Sequence, residues 1–277
     1  MPRELQLRIV SGLILAVIVL AATWSGGLAF SILSALIGLL IYYEWSTITR
    51  LNTEQPVANT IGWIGQAAIA VAVVAGTVGY SVVLLLLFFA IAVGFVVIRG
   101  VSRWFPAGMI YAGLTGIALS SIRGADSVGL HAMLYVFAVV WATDILAYFI
   151  GRAIGGPKLA PKISPGKTWS GAIGGAVCAV IAGGLVAYVV SPQSVALAAL
   201  VAFVLSVCSQ AGDLFESFIK RRFGVKDSSR LIPGHGGVMD RVDGLIFACF
   251  AAFLLAGLFS LIKGGEMASL GAVLFGV

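Results

Sequence analysis

Between residues 213 and 243 an otherwise apolar chain carries eleven charged side chains. They follow in the order Asp213, Glu216, Lys220, Arg221, Arg222, Lys226, Asp227, Arg230, Asp240, Arg241 and Asp243. Lys and Arg hold phosphates, and carboxylates are hard oxygen ligands for Mg²⁺, so metal-assisted handling of phosphates is the chemistry such a set supports. Asp213, Glu216, Ser217 and Lys220 recur at three- and four-residue spacing and fall on one helical face. Arg222 reads as a headgroup anchor. Beyond Lys226 and Asp227 comes Pro233-Gly234-His235-Gly236-Gly237, whose glycines open backbone geometries and allow a phosphate to approach closely. Asp240 and Asp243 then share a face at the start of the next apolar run. Asp213, Asp240 and Asp243 are the expected metal ligands, and His235 is placed to bind phosphate or transfer a proton. Zinc is disfavoured because the only histidines, His131 and His235, form no ligand set with cysteine. His131, alone at the edge of an apolar run, reads as structural.

A second polar group precedes this one. Asp144 sits inside an apolar run, where a carboxylate costs about 2.5–3.5 kcal/mol on insertion scales, and it shares a helical face with Tyr148 and Arg152. Such a residue is a site candidate, with a structural ion pair as the alternative. The following segment, Lys158 to Gly171, holds two prolines and a glycine that stop helix continuation. Lys162, Ser164, Lys167 and Thr168 supply donors just before a new helix start, which is a natural anion site. Gly166-Lys167-Thr168 lacks the earlier glycine spacing of a Walker motif. An ordinary basic loop is the alternative reading.

The elements that must position these groups are membrane helices. The chain is 60% hydrophobic and 10% charged with mean hydropathy +1.09, far from the roughly 25% charged residues of soluble domains. Backbone groups cannot go unpaired in lipid, and no alternating pattern suggests a barrel, so the runs are helices. Nine spans are expected at residues 9–24, 27–43, 61–76, 80–98, 107–122, 130–150, 169–190, 195–211 and 245–262. The fifth is the weakest, being short and rich in Gly and Ser, and the apolar stretch 268–277 is too short to span. With a cytoplasmic N-terminus, nine spans leave every Lys and Arg except Arg123 and Lys263 on the cytoplasmic side. The first run is read as an uncleaved anchor rather than a signal peptide. Cys178, Cys208 and Cys249 lie in apolar runs and read as packing residues with reduced thiols. The net charge of +6 is consistent with this bias, and the absence of a soluble basic domain argues against nucleic-acid binding. The chain is thus expected to be all-α, a single polytopic transmembrane domain over 1–277. Within it lie an N-terminal helical bundle, 1–122, and a catalytic helical region, 130–262, with cytoplasmic loops 151–168 and 213–243.

The stretch from Asp144 to Asp243 resembles the phosphatidate cytidylyltransferase, or CDP-diacylglycerol synthase, family. The likeness rests on Asp144-x-x-Ala-Tyr148, on Pro161-Lys162-Ile-Ser164-Pro-Gly-Lys167-Thr168, and on the run from Ser217 to Asp243. Tyr43-Glu44-Trp45 is a weak familiar element in the first half, and Ser170 stands where the family commonly has Glu or Gln, so it inherits no role. The resemblance implies transfer of CMP from CTP to phosphatidate, giving CDP-diacylglycerol and pyrophosphate. On that reading Asp213, Asp240, Asp243, Lys226, Asp227 and His235 are catalytic. Asp144, Lys162, Ser164, Lys167, Thr168, Ser217, Lys220, Arg221, Gly236, Gly237 and Arg241 bind substrate. The implied metal is Mg²⁺ or Mn²⁺, with an assisting monovalent cation left open. The implied partners are CTP, phosphatidate and the lipid bilayer, and a homo-oligomer is compatible with the sequence. The expected location is the bacterial inner membrane with the site on its cytoplasmic side. A CTP-dependent lipid kinase and a secondary transporter are the alternatives; the first would transfer a γ-phosphoryl group, and the second would place its polar groups near mid-bilayer.

Overall fold

A computed structural model describes residues 3–263 and 269–275. Among them nine helices are long and apolar enough to cross a membrane, one for each expected span. They are α1 (Arg3–Ser25), α2 (Gly27–Ile48), α4 (Pro56–Val74), α5 (Val78–Arg99), α6 (Trp104–Arg123), α7 (Ser127–Ile154), α8 (Trp169–Val190), α9 (Val195–Arg222) and α10 (Met239–Lys263). Among the described residues there are also two short α-helices, α3 (Leu51–Glu54) and α11 (Leu270–Phe275), and a 3-10 turn at Pro192–Ser194. The segment after α7 forms a hairpin that the sequence reading did not contain. Its strands, β1 (Lys158–Ala160) and β2 (Ser164–Thr168), are antiparallel and pair Lys158 with Thr168 and Ala160 with Ser164. Several helices outrun their expected spans, and two do so at the motifs: α9 runs eleven residues past 211, and α10 begins six residues before 245. Both extensions draw charged motif residues into helical turns.

The residues divide into two compact units, one drawn from 1–125 and 222–241, the other from 126–221 and the residues from 242 onward. In the first, α2 packs on α4 and α6, and α5 covers α4 and α6. Ile41, Tyr42 and Trp45 of α2 and Phe105 and Met109 of α6 have no exposed surface. The Trp45 indole donates to Trp104 O at 2.9 Å. The weak fifth span is α6, 72% buried inside the protein, whereas the far more apolar α5 is only 17% buried. A helix shielded from lipid needs no lipid-like surface, and small residues let its neighbours close in. Arg123, one of the two cations outside the charge pattern, is buried and donates to Thr23 O (2.5 Å) and Trp24 O (3.1 Å). Its charge is used at the carbonyl end of α1, where a helix favours cations.

In the second unit α7 and α8 lie against each other for most of their length. A Cβ on Gly171 would stand 2.6 Å from Ala147 O, so glycine sets the spacing at the polar end of this pair. Thr143 of α7 donates to Ser206 of α9 at 2.8 Å, and Tyr135 to Ala198 O at 2.5 Å. The described part of the C-terminal stretch, α11, packs on α7 with Leu270, Leu274 and Phe275 buried; Ala268, Gly276 and Val277 lie outside the described residues. Cys178, Cys208 and Cys249 are free thiols. Large exposed apolar side chains such as Ile173, Val177 and Ile181 stripe α8 at four-residue steps, as expected of a helix facing lipid.

Candidate functional site

The second unit holds a cavity of about 680 Å³ walled by α7, the hairpin, the start of α8 and α9. Small-molecule sites run roughly 300–1,000 Å³. Asp144, Tyr148 and Arg152 enter from successive turns of α7, as their spacing requires, with Arg152 Nη1 donating to Tyr148 Oη at 2.9 Å. Lys158, Ser164 and Lys167 come from the hairpin and Asp213 from the extended part of α9. Lys167 pairs with Asp213, joining the two motif segments. Asp144, Asp213, Asp243 and Lys167 lie within electrostatic reach of one another. This is an arrangement of cations and carboxylates around a hollow, suited to phosphate groups and a cation.

The remaining expected residues of this unit sit around that hollow or away from it. Thr168 lines it, but its Oγ1 accepts from Gly171 N at 3.1 Å and so serves as the N-cap of α8. Lys162 lies exposed at the hairpin turn and does not line the cavity. Ser217 Oγ faces Asp213 Oδ1 at 3.5 Å, and Lys220 pairs with buried Glu216 at 2.9 Å, so both stay on the α9 face that carries Asp213. Arg221 is exposed on the last turns of that helix. Asp243 Oδ1 accepts from Gly244 N at 2.9 Å.

Two residues with no expected role matter here. Ser170 donates to Gly155 O at 2.5 Å and stands 3.0 Å from Thr168 Oγ1, tying the end of α7 to the start of α8. Gln210 donates to Ala172 O at 3.2 Å and stands where the polar cavity meets an apolar one of about 580 Å³. Leu159, Ala172 and Gln210 line both; the apolar one continues past Val177, Phe203 and Val207 between α8 and α9.

The first unit carries the glycine-rich loop. Ile232 N donates to Gly236 O (2.8 Å) and His235 N to Ile232 O (2.9 Å), closing a tight turn. Asp240 Oδ2 accepts from Ser228 N, Ser228 Oγ and Gly237 N, each at 2.8 Å. Asp240 thus organises the loop around the start of α10. Gly237 is needed because a side chain there would collide with Ser228 Oγ and Glu44 Oε1. His235 Nδ1 lies 2.9 Å from Ser11 Oγ, which also reaches the carbonyls of Leu7 (2.7 Å) and Pro233 (3.0 Å). Lys226, Asp227 and Arg241 are exposed, and Gly236 is half-buried.

Among the described residues no group of three or more His, Cys, Asp or Glu side chains is arranged to hold a metal ion. The donor chemistry still fits Mg²⁺, which commonly takes one or two carboxylates and completes its shell with water and substrate phosphates. Asp213, which lines the polar hollow, and Asp243, which interacts with it, are such a pair.

The model of the cytidylyltransferase family matches residues 6–259. The chain belongs to the cytidylyltransferase family. A phosphatidate cytidylyltransferase of Brucella abortus is 43% identical over 263 residues, covering 93% of this chain and 95% of that protein. One of Bacillus subtilis is 33% identical over 279 residues, covering 93% and 99%. One of Haemophilus influenzae is 49% identical over 137 residues, covering 46% and 48%. Cytidylyltransferase relatives therefore match both the weakly marked first half and the motif-bearing second half.

Proposed function

We propose that this membrane protein is a phosphatidate cytidylyltransferase, transferring CMP from CTP to phosphatidate to give CDP-diacylglycerol and pyrophosphate. The observation that carries the reading is the near full-length match to phosphatidate cytidylyltransferases in a chain whose polar cavity pairs phosphate-holding cations with carboxylates. A phosphate oxygen of phosphatidate attacks the α-phosphorus of CTP. One phosphorus–oxygen bond forms there, and the bond to the β-phosphate bridge breaks as pyrophosphate leaves. The nucleophile is already an anion, so positioning and charge stabilisation dominate over proton abstraction.

Lys158, Lys167 and Arg152 line the cavity and suit the binding of phosphate oxygens. Lys167, drawn to Asp213, links the phosphate-holding hairpin to the metal-binding carboxylates. Asp213 and Asp243 are the residues that would hold Mg²⁺, which when bound would supply positive charge to neutralise the leaving pyrophosphate. Asp144 extends the acidic wall one helix away. In the first unit, His235 of the glycine-rich loop is the candidate phosphate contact.

The lipid keeps its acyl chains in apolar surroundings, since exposing them costs about 0.8 kcal/mol per CH₂. The apolar cavity between α8 and α9 shares three lining residues with the polar one, which favours passage of the chains along that groove. The charge bias favours a cytoplasmic site in the bacterial inner membrane, where CTP is supplied. The test is direct: purified protein given CTP, Mg²⁺ and phosphatidate is expected to form CDP-diacylglycerol and pyrophosphate in equal amounts. Formation of neither under these conditions overturns the reading.

A further inference from the structure

Glu44 lies near the end of α2, has no exposed surface, and accepts four hydrogen bonds from a segment almost two hundred residues away. Oε1 takes Ser229 Oγ (2.6 Å) and Val238 N (2.8 Å); Oε2 takes Ser228 Oγ (3.1 Å) and Met239 N (2.7 Å). Val238 and Met239 stand at the start of α10, where backbone N–H groups have no partner within the helix and favour negative charge. Glu44 therefore caps α10 from another helix. The same segment is gathered from the other side by Asp240, and Gly237 is bare because Ser228 and Glu44 fill the space beside it.

We infer that Glu44 is a positioning residue for the reaction: it fixes the loop from Ser228 to Asp240, and with it His235, in the shape that meets the phosphates of CTP. This rests on the proposed cytidylyltransferase reading. The requirement is for a carboxylate and not merely a polar group. Ser228 and Ser229 can rotate their hydroxyls and become acceptors, but the amides of Val238 and Met239 can only donate. They approach different oxygens, so an amide side chain must turn its NH₂ toward one of them whichever way it lies. That leaves a buried donor facing a donor, in a network where a part-satisfied set is worse than none.

Phosphatidate gains much of its affinity from acyl chains, whereas CTP depends on phosphate contacts, so the loss falls mainly on the nucleotide. Glu44→Gln, purified in detergent, is expected to lower kcat/KM for CTP at least about tenfold with KM for phosphatidate within about twofold. Amide hydrogen exchange at Val238 and Met239, measured without substrate, is expected to quicken at least about tenfold while α4 and α6 keep wild-type protection. Should Glu44→Gln fail to purify, Ser229→Ala, which removes one donor to Oε1, is expected to shift both readouts in the same direction by a smaller factor. Unchanged kcat/KM for CTP per folded molecule, even with lowered thermal stability, overturns the inference and leaves Glu44 a core-stabilising group. Unchanged exchange at Val238 and Met239 overturns it too, and that arm stands whether or not the wild-type protein makes CDP-diacylglycerol.

Discussion

Asp213 is the residue on which most of the proposed chemistry converges: it pairs with Lys167, faces Ser217 and interacts with Asp243 and Asp144. Asp213→Asn keeps the shape and removes the charge, so on the proposed mechanism it is expected to weaken metal binding, and it leaves the Lys167 ammonium without its anion. Turnover is expected to fall at least about 100-fold while the protein still inserts and purifies, with the Mg²⁺ requirement shifted to higher concentration. Near-normal turnover at limiting Mg²⁺ would remove Asp213 from the metal site. At this scale the sequence was legible wherever a polar side chain interrupts an apolar run. Asp144 announces itself that way, and the structure seats it on a polar cavity. Glu44 carries the same local signal inside α2, yet its meaning lay in amides near residue 238, which no spacing rule connects to it. Ser170 was opaque for a related reason, because its partner is a backbone carbonyl at the end of another helix.

The elements follow from apolar run length, and their ends are decided by tertiary partners. The charged face Asp213 to Arg221 was read as helical by spacing, although the apolar run stops at residue 211; α9 carries straight through because that face points Glu216 inward and pairs it with Lys220. The stretch 158–168 reads as a proline-interrupted loop, and its hairpin is set by pairing across the turn, which composition does not display. A consequence at this scale concerns the groove between α8 and α9. Val207 lines it and is about half exposed, so Val207→Trp narrows the groove without entering a packed core. KM for long-chain phosphatidate is expected to rise about fourfold for each methylene displaced, while a short-chain analogue is turned over as by wild type. Equal effects on both lipids would place the acyl chains elsewhere.

For the molecule as a whole, a cytoplasmic N-terminus is the proposal that the charge pattern and the nine apolar helices among the described residues suggest, and Arg123, outside that pattern, is buried against carbonyls of α1. Ser164, half-buried on the polar cavity, is a suitable reporter; Ser228 is not, because it is enclosed by Glu44 and Asp240. In a background with Cys178, Cys208 and Cys249 replaced by Ala, Ser164→Cys is expected to react with an impermeant thiol reagent only from the cytoplasmic side, with CTP protecting it. Labelling from outside intact cells would reverse the orientation. The central claim is the transfer of CMP, and the position of a label decides it. Wild-type protein is given phosphatidate, Mg²⁺ and CTP labelled separately at the α- and γ-phosphates. α-Label is expected in the lipid product and γ-label in pyrophosphate; γ-label in the lipid, with CDP released, would rule out CMP transfer.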